Sequence, residues 1–380
     1  MKKVGIITTF RQSNWGSVLQ AYSLQKVVER LGYDVELIDY IYPNEFHWER
    51  GLLWGKTKKK SLISLIKDVK FYILCRLHWC AHSIMFLLND FISKNMRVSK
   101  KFLTHKNLHS NPPIYDIYIS GSDQIWNPNT MKGDFSYMLD FAPVDSKKIA
   151  YASSFSCLSI PEEYVEEYRT NLSKFSSISV RENNGKKVIK QLLGKDVDVV
   201  LDPTLLLNRE EWAGIAEKAD KIELPKQYIL CYMLSYTFAV EEPMAKLLDL
   251  VQKKYKMPII TLNRIPAGFK GDVVILPKNY NKGISEFLYL IKNATIVVTS
   301  SFHGTAFSLN FGKPFFALAA LNEDDRLYSL LKSLDMTDIL IDASCISVEG
   351  VEPFYDIDSE QKKLDYLRNE SLEYLKKSLF

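Results

Sequence analysis

Twice along this chain, short continuous apolar runs alternate with segments of helical period, and this alternation restricts the fold more than any other feature. Residues 4–9 form the first apolar run, followed by the polar loop FRQSNWG at 10–16. From Ser17 the period changes: Val18, Leu19, Tyr22, Leu24, Val27, Val28 and Leu31 share one helical face. Gly32 stops the helix, and residues 34–40 return to strand alternation. Strand, loop, helix and strand in that order open a parallel α/β unit.

Further strands are expected at 115–120, 148–152, 177–180 and 197–201, with helices near 161–173 and 183–193. A second series begins with a strand at 228–234 and a helix at about 241–255. It continues with strands at 258–262 and 272–276, a helix at 283–292 and a strand at 294–299. A short helix from His303, a strand at 314–318, a helix around 325–334 and an amphipathic helix at 359–379 complete it. The two halves repeat in pattern and not in letters. A length of 380 residues suits two domains. The reading is an α/β chain with two Rossmann-like domains facing across a cleft, ligands lying beyond the carboxyl ends of the strands. The first domain spans 1–205 and the second spans 206–350. Residues 351–380 supply a terminal helix that packs back on the first domain.

The formal net charge of +4 conceals an asymmetry. Residues 50–106 hold 13 lysines and arginines against Asp68 and Asp90, an excess of +11, so the remainder carries −7. The body is acidic and the insert strongly basic. Within the insert, Leu62, Leu65, Ile66, Val69 and Ile73 share a helical face, with Trp54, Phe71, Tyr72, Trp79, Phe86 and Phe91 beside basic residues. Such a surface fits docking on an anionic membrane face, and equally fits a helical subdomain packed on the body with its lysines solvated. Nucleic-acid binding is not expected, because the rest of the surface is acidic and no recognition motif is present. The longest window free of Lys, Arg, Asp and Glu there, 77–89, is 13 residues, short of the roughly 20 that span a bilayer. The short apolar start lacks a small-residue cleavage site and reads as a strand, not a secretory signal. Five scattered cysteines without CxxC spacing fit a reducing compartment. Cytoplasmic location, peripheral to the inner face of the cell membrane, is the expectation.

Chemistry concentrates in three places. The segment 297–318, VVTSSFHGTAFSLNFGKPFFAL, is a buried strand, a small polar turn and a helix start. Backbone N–H groups there, with Ser300, Ser301, Thr305 and the close approach allowed by Gly304, suit a phosphate or carboxylate. His303 stands where an imidazole can donate a proton to a ligand. Spacing alone leaves open that the hydroxyls only cap the helix and His303 is a packed side chain. In IYISGSDQIWNP, 117–128, Asp123 follows a strand end, where a carboxylate can accept a proton from a sugar hydroxyl or simply cap a turn. Arg181 ends the strand of SSISVREN; its planar fork suits phosphate or carboxylate, or an ion pair with Glu182 or Glu210. Arg264 and Lys278 end later strands. The first loop contributes Arg11, Asn14 and Gly16 but no GxGxxG, and GxxxxGK[ST] is absent as well. His78 with His82, and His105 with His109, are spaced i, i+4, but no HExxH accompanies either pair, so no metal site is expected.

In combination, GIITTF…NWGSVLQAYSLQ, YISGSDQIWNP, ISVRENNG, VVLDPTLLL and TSSFHGTAFSLNFGKPF, in that order, resemble the polysaccharide pyruvyl transferase family from residue 4 to about 318, the basic insert excluded. The resemblance implies a GT-B-like fold and transfer of the pyruvyl group of phosphoenolpyruvate to a sugar as a ketal, with release of phosphate. Phosphoenolpyruvate is then a co-substrate, and no other cofactor is implied. The acceptor is a sugar of a polysaccharide or of its lipid-diphosphate-linked precursor. His303 and Arg181 match the family's histidine and arginine expected to face phosphoenolpyruvate. His303 and Asp123 are the expected acid and base; Arg181, Ser300, Ser301, Gly304, Thr305, Arg264 and Lys278 are expected around the donor. Asn14, Ser122, Gln124 and Trp126 are expected around the acceptor. Many members carry an arginine two residues before the histidine; here that position is Ser301. A GT-B glycosyltransferase using a nucleotide sugar and a non-catalytic, membrane-docked scaffold in polysaccharide assembly remain as alternatives.

Overall fold

The computed structural model describes residues 1–44, 47, 84–234, 238–277, 280–321 and 325–380. The first helix expected in the basic insert, and Lys278, lie outside these residues. Strands β1 (Lys3–Ile7), β2 (Asp34–Leu37), β3 (Ile117–Ser120), β4 (Lys147–Ser153), β5 (Ser177–Val180) and β6 (Asp198–Val199) form one parallel sheet in the order β2-β1-β3-β4-β5-β6. Strands β7 (Ile229–Tyr232), β8 (Ile259–Thr261), β9 (Ile296–Thr299), β10 (Phe315–Ala319) and β11 (Leu340–Asp342) form a second, also parallel, in the order β11-β10-β9-β7-β8. The central strands are apolar on both faces, as a sheet covered on two sides requires: β3, β7, β9 and β10 are buried at every residue.

Each sheet has a point where the strand order reverses. In the first it lies between β1 and β3, in the second between β7 and β9. Loops leaving neighbouring strands in opposite directions open a crevice there. Helix Trp15–Arg30 leaves β1 at one such point and helix Phe302–Phe311 leaves β9 at the other.

The halves share one continuous apolar cluster that includes Val4, Ile6 and Ile119 of the first sheet and Leu230, Val297 and Ala317 of the second. Trp15 crosses between them. Its indole stacks on Phe287 at 5.2 Å, meets Tyr232 edge-on at 5.6 Å, and donates Nε1–H to the Lys282 carbonyl at 2.9 Å. The terminal helix Ile357–Leu379 touches both halves. Gln361 donates to the Leu309 carbonyl, Arg368 Nε to the Leu205 carbonyl at 2.7 Å, and Ser371 Oγ accepts from Leu201 N–H.

Two expectations need correction. Residues 272–276 do not form a strand; only Val273 bridges to Ile259 at the sheet edge, and Ile275 is 75% exposed, so the apolar run lacks the burial a strand needs. Helix Arg209–Ala216 and strand β11 are present where no element was expected. Among the described residues no helix is long and apolar enough to cross a membrane.

Candidate active site

Four ionisable side chains converge where the strand ends of both halves meet. Arg181 follows β5, Asp202 follows β6, Asp123 follows β3, and His303 stands in the first turn of the helix after β9. Arg181 Nη1 donates to Asp202 Oδ2 at 2.8 Å, and Arg181 Nη2 lies 3.7 Å from Asp123 Oδ1. His303 Nε2 lies 3.7 Å from the same Asp202 oxygen. The Arg181 guanidinium sits over the Phe302 ring at 4.3 Å, a cation–π contact made from the other half of the molecule.

This geometry starts from local backbone chemistry. Asp123 has φ 78, in the left-handed region that aspartate tolerates better than most residues. Its peptide is held there by the Ser154 N–H bond to its carbonyl at 3.0 Å. Its side chain accepts from Ser17 Oγ at 2.7 Å and Thr9 Oγ1 at 3.3 Å, both on the loop and helix after β1. Asp202 precedes Pro203 and accepts from the Thr204 backbone and hydroxyl at 3.0 and 2.7 Å. Gly16 allows helix Trp15–Arg30 to approach the His303 ring; a Cβ at that position would overlap the imidazole.

Buried charge decides the electrostatics. The side chains of Arg181 and Asp202 are 1% and 0% exposed. Burial pushes the Asp123 carboxyl upward, but Arg181, His303 and the Ser17 hydroxyl outweigh it and hold the group below the ordinary carboxylate value. Burial acts the same way on Asp202, where His303, Arg181 and Thr204 hold the carboxyl far lower still. Both stay ionised. Even so, Arg181 Nε and Nη2, His303 Nε2 and Thr305 Oγ1 are buried without a hydrogen-bond partner among the described residues. A buried guanidinium with unspent donors is built to receive an anion.

Among the residues expected at the donor side, His303, Arg181 and Thr305 are brought together with Asp123. Ser300 is spent on the Leu234 backbone at 3.0 Å, and Ser301 caps its own helix through Gly304 N–H at 3.2 Å. Gly304 packs against Thr299 and Tyr232. Arg264 does not reach the cluster; it is largely exposed and pairs with Glu241. On the acceptor side, Asn14 caps helix Trp15–Arg30 by accepting from Gly16 N–H at 2.9 Å. Ser122 is fully buried and donates to Asp202 Oδ2 at 2.9 Å, so it braces the site and cannot contact an acceptor. Trp126 is likewise removed from ligand contact. It is fully buried, donates to Ser120 Oγ at 3.1 Å and packs edge-on against Phe155 and Phe175. The side-chain amide of Gln124 lies 3.1 Å from the guanidinium of Arg326, with its oxygen assigned to that side, and so a second buried arginine stands by the loop that carries Asp123. Asp202 and Arg326 were not singled out from the sequence; an aspartate before a proline at a strand end was the available signal for the first.

A family model described as polysaccharide pyruvyl transferase matches residues 14–322. The chain belongs to this family. The matched stretch contains Asp123, Arg181, Asp202 and His303. No curated protein sequence matches the chain. Solved structures show the fold. The UDP-GlcNAc 2-epimerase of Methanocaldococcus jannaschii, in complex with UDP-GlcNAc and UDP, superposes with a TM-score of 0.50 at 14% identity over 97% of this chain and 99% of that chain. The UDP-N-acetylglucosamine 2-epimerase of Rickettsia bellii gives 0.50 at 11% identity over 99% and 96%. The architecture is therefore GT-B-like, two Rossmann-like sheets facing across a cleft.

Two substitutions test the geometry. Gly16→Ala forces the His303 ring aside; activity should fall by at least about tenfold, the scale on which misplacement of a reacting group acts, while the circular-dichroism spectrum is unchanged. Asp202→Asn leaves Arg181 buried with no carboxylate at 2.8 Å and should cost about 3–5 kcal/mol at neutral pH in denaturant unfolding. The sign with pH follows from the depressed folded value. The Asp202 contribution is fully present above the unfolded value of about 3.9 and is lost as pH falls toward the folded one. The gap between wild type and Asp202→Asn should narrow steadily below about pH 4.

Proposed function

We propose that this family member transfers the pyruvyl group of phosphoenolpyruvate to a sugar of a polysaccharide, or of its lipid-diphosphate-linked precursor, as a cyclic ketal. The observation that carries the reading is the buried pair Arg181 and His303, which keep nitrogens without a hydrogen-bond partner among the described residues, beside Asp123. A donor bearing both phosphate and carboxylate needs such groups from more than one direction. Arg181 and the turn around Thr305 bind one anionic end, and Arg326 beside Gln124 supplies the second guanidinium that position 301 lacks.

The imidazolium of His303 gives its Nε2 proton to the methylene carbon of the donor, and the central carbon becomes cation-like. A sugar hydroxyl attacks that carbon. Asp123 takes the hydroxyl proton and later releases it to solvent, from which His303 regains the one it gave up. Because its carboxyl is held below the ordinary value, Asp123 is a weak base that orients the hydroxyl and accepts the proton late, as the C–O bond forms. The C–O bond to phosphate then breaks, a second hydroxyl of the same sugar closes the ketal, and its proton leaves on the phosphate. The two negative charges of Asp123 and Asp202 face the cation-like centre and stabilise it.

The acceptor approaches from the Asp123 side. The basic charge of residues 50–106 supports a cytoplasmic enzyme held against an anionic membrane face where lipid-linked sugars are presented.

Thermal-shift titration separates this reading from a nucleotide-sugar transferase and from a scaffold, since a ligand that binds only the folded chain raises its melting temperature. Phosphoenolpyruvate should raise it and a panel of nucleotide sugars should not; Arg181→Gln should remove the effect. His303→Ala should reduce it without removing it and lose about 10²–10⁴-fold in phosphate release with acceptor present. Stabilisation by a nucleotide sugar alone, or by neither, contradicts the reading.

A further inference from the structure

Two histidine pairs in the sequence have i, i+4 spacing without an HExxH motif. The fold supplies a third ligand to the second pair. Helix His105–Ser110, capped by Thr104, sets His105 and His109 one turn apart with their rings nearly parallel and their centroids 4.0 Å apart. Opposite them runs the turn 134–140. Asp134 caps the short helix Phe135–Met138, and Leu139, at φ 60, reverses the backbone so that Asp140 points back at the histidines.

His109 Nε2 lies 3.4 Å from Asp140 Oδ1 and 3.1 Å from Ser136 Oγ, and His105 Nε2 lies 3.8 Å from Asp134 Oδ1. One ring nitrogen from each histidine and one oxygen of Asp140 all stand within 4.8 Å of one another. Asp140 Oδ1 is buried and makes no hydrogen bond among the described residues, so a carboxylate oxygen is aimed into the cluster without being satisfied by it. Asp134 stands behind. It is fully buried, accepts from Tyr40 Oη at 2.7 Å and lies 3.2 Å from His47 Nε2, which fixes it beside His105.

The chemistry of this set is specific. Two neutral imidazole nitrogens and one carboxylate oxygen are the donor set of a four-coordinate zinc site whose last position is water. Ligands about 2.0–2.1 Å from zinc stand about 3.3 Å apart, a contraction within reach of side-chain rotation from the present separations. The side chains of His105, His109 and Asp140 are 28%, 28% and 24% exposed, enough for an ion and its water to enter. Asp134 plays the outer-shell carboxylate that orients a ligating imidazole.

We propose that His105, His109 and Asp140 bind a divalent transition-metal ion, Zn²⁺ foremost, which ties helix His105–Ser110 to the turn 134–140. The ion has a structural role. It anchors the chain where the basic insert returns to the body just ahead of β3, and the transfer reaction does not pass through it.

The test uses the full chain, stripped with a chelator and titrated with Zn²⁺ by calorimetry and with Co²⁺ by visible absorption. One equivalent should bind, with the intense visible bands of low-coordinate Co²⁺ and a higher melting temperature in the loaded protein. Asp140→Asn and His109→Ala should each weaken binding by more than about tenfold, the least that loss of even an outer-shell partner costs. His105→Gln, which keeps the size of the side chain, should do the same if His109→Ala fails to fold. The double substitution His78→Ala/His82→Ala should change nothing. Absence of a saturable equivalent in the wild type overturns the proposal. So does an affinity unchanged in Asp140→Asn, or one lost only in the His78/His82 variant.

Discussion

A guanidinium buried to 1% exposure is costly unless its charge is answered, and the arrangement of both halves follows from how Arg181 is answered. Asp202 neutralises one nitrogen at 2.8 Å, and the Phe302 ring covers its face at 4.3 Å. Those two partners come from different sheets, so the cation is fully housed only when the halves are closed on each other. What remains is directional: Nε and Nη2 are left with donors to spare, beside an ionised Asp123 and a histidine with an unpartnered nitrogen. Stability and binding are thus set in opposition at one residue, and an incoming anion relieves both.

The sheets explain why these residues meet. Parallel strands send their carboxyl ends the same way, and a reversal of strand order opens a crevice at that edge. Here two such reversals face each other, with Gly16 at the start of one helix against His303 at the start of the other. Trp15, next to that glycine, spans the halves through Phe287, Tyr232 and the Lys282 carbonyl, so the contact that closes the cleft lies beside the one that shapes it.

Much of this was legible in the sequence because buried parallel strands are continuous apolar runs. Strand β5 and helices Asn183–Leu193 and Glu241–Tyr255 fall where the periodicity puts them. Residues 272–276 misled because an apolar run reads alike whether a sheet accepts it or, as at Ile275, solvent does. Helix Arg209–Ala216 escaped notice because eight residues are too few for a clear period, although the capping pair Asn208 and Glu211 marks its start. At the site, Asp123, Arg181 and His303 were legible because each follows a strand end. Ser122 and Trp126 were not, because the same loop alternates between ligand side and core, and local letters do not say which residue turns inward. Asp202 stayed hidden behind Pro203, where it reads as a turn residue; only the fold brings it to Arg181.

The central claim is that the cleft between Arg181 and His303 holds the donor. A crystal structure of the protein soaked with phosphoenolpyruvate tests this most directly. The account predicts density for the ligand with an anionic oxygen within hydrogen-bond distance of Arg181 Nη2 and its methylene carbon against His303 Nε2. Phosphoenolpyruvate bound elsewhere, or a nucleotide sugar occupying that position while phosphoenolpyruvate does not, would contradict it.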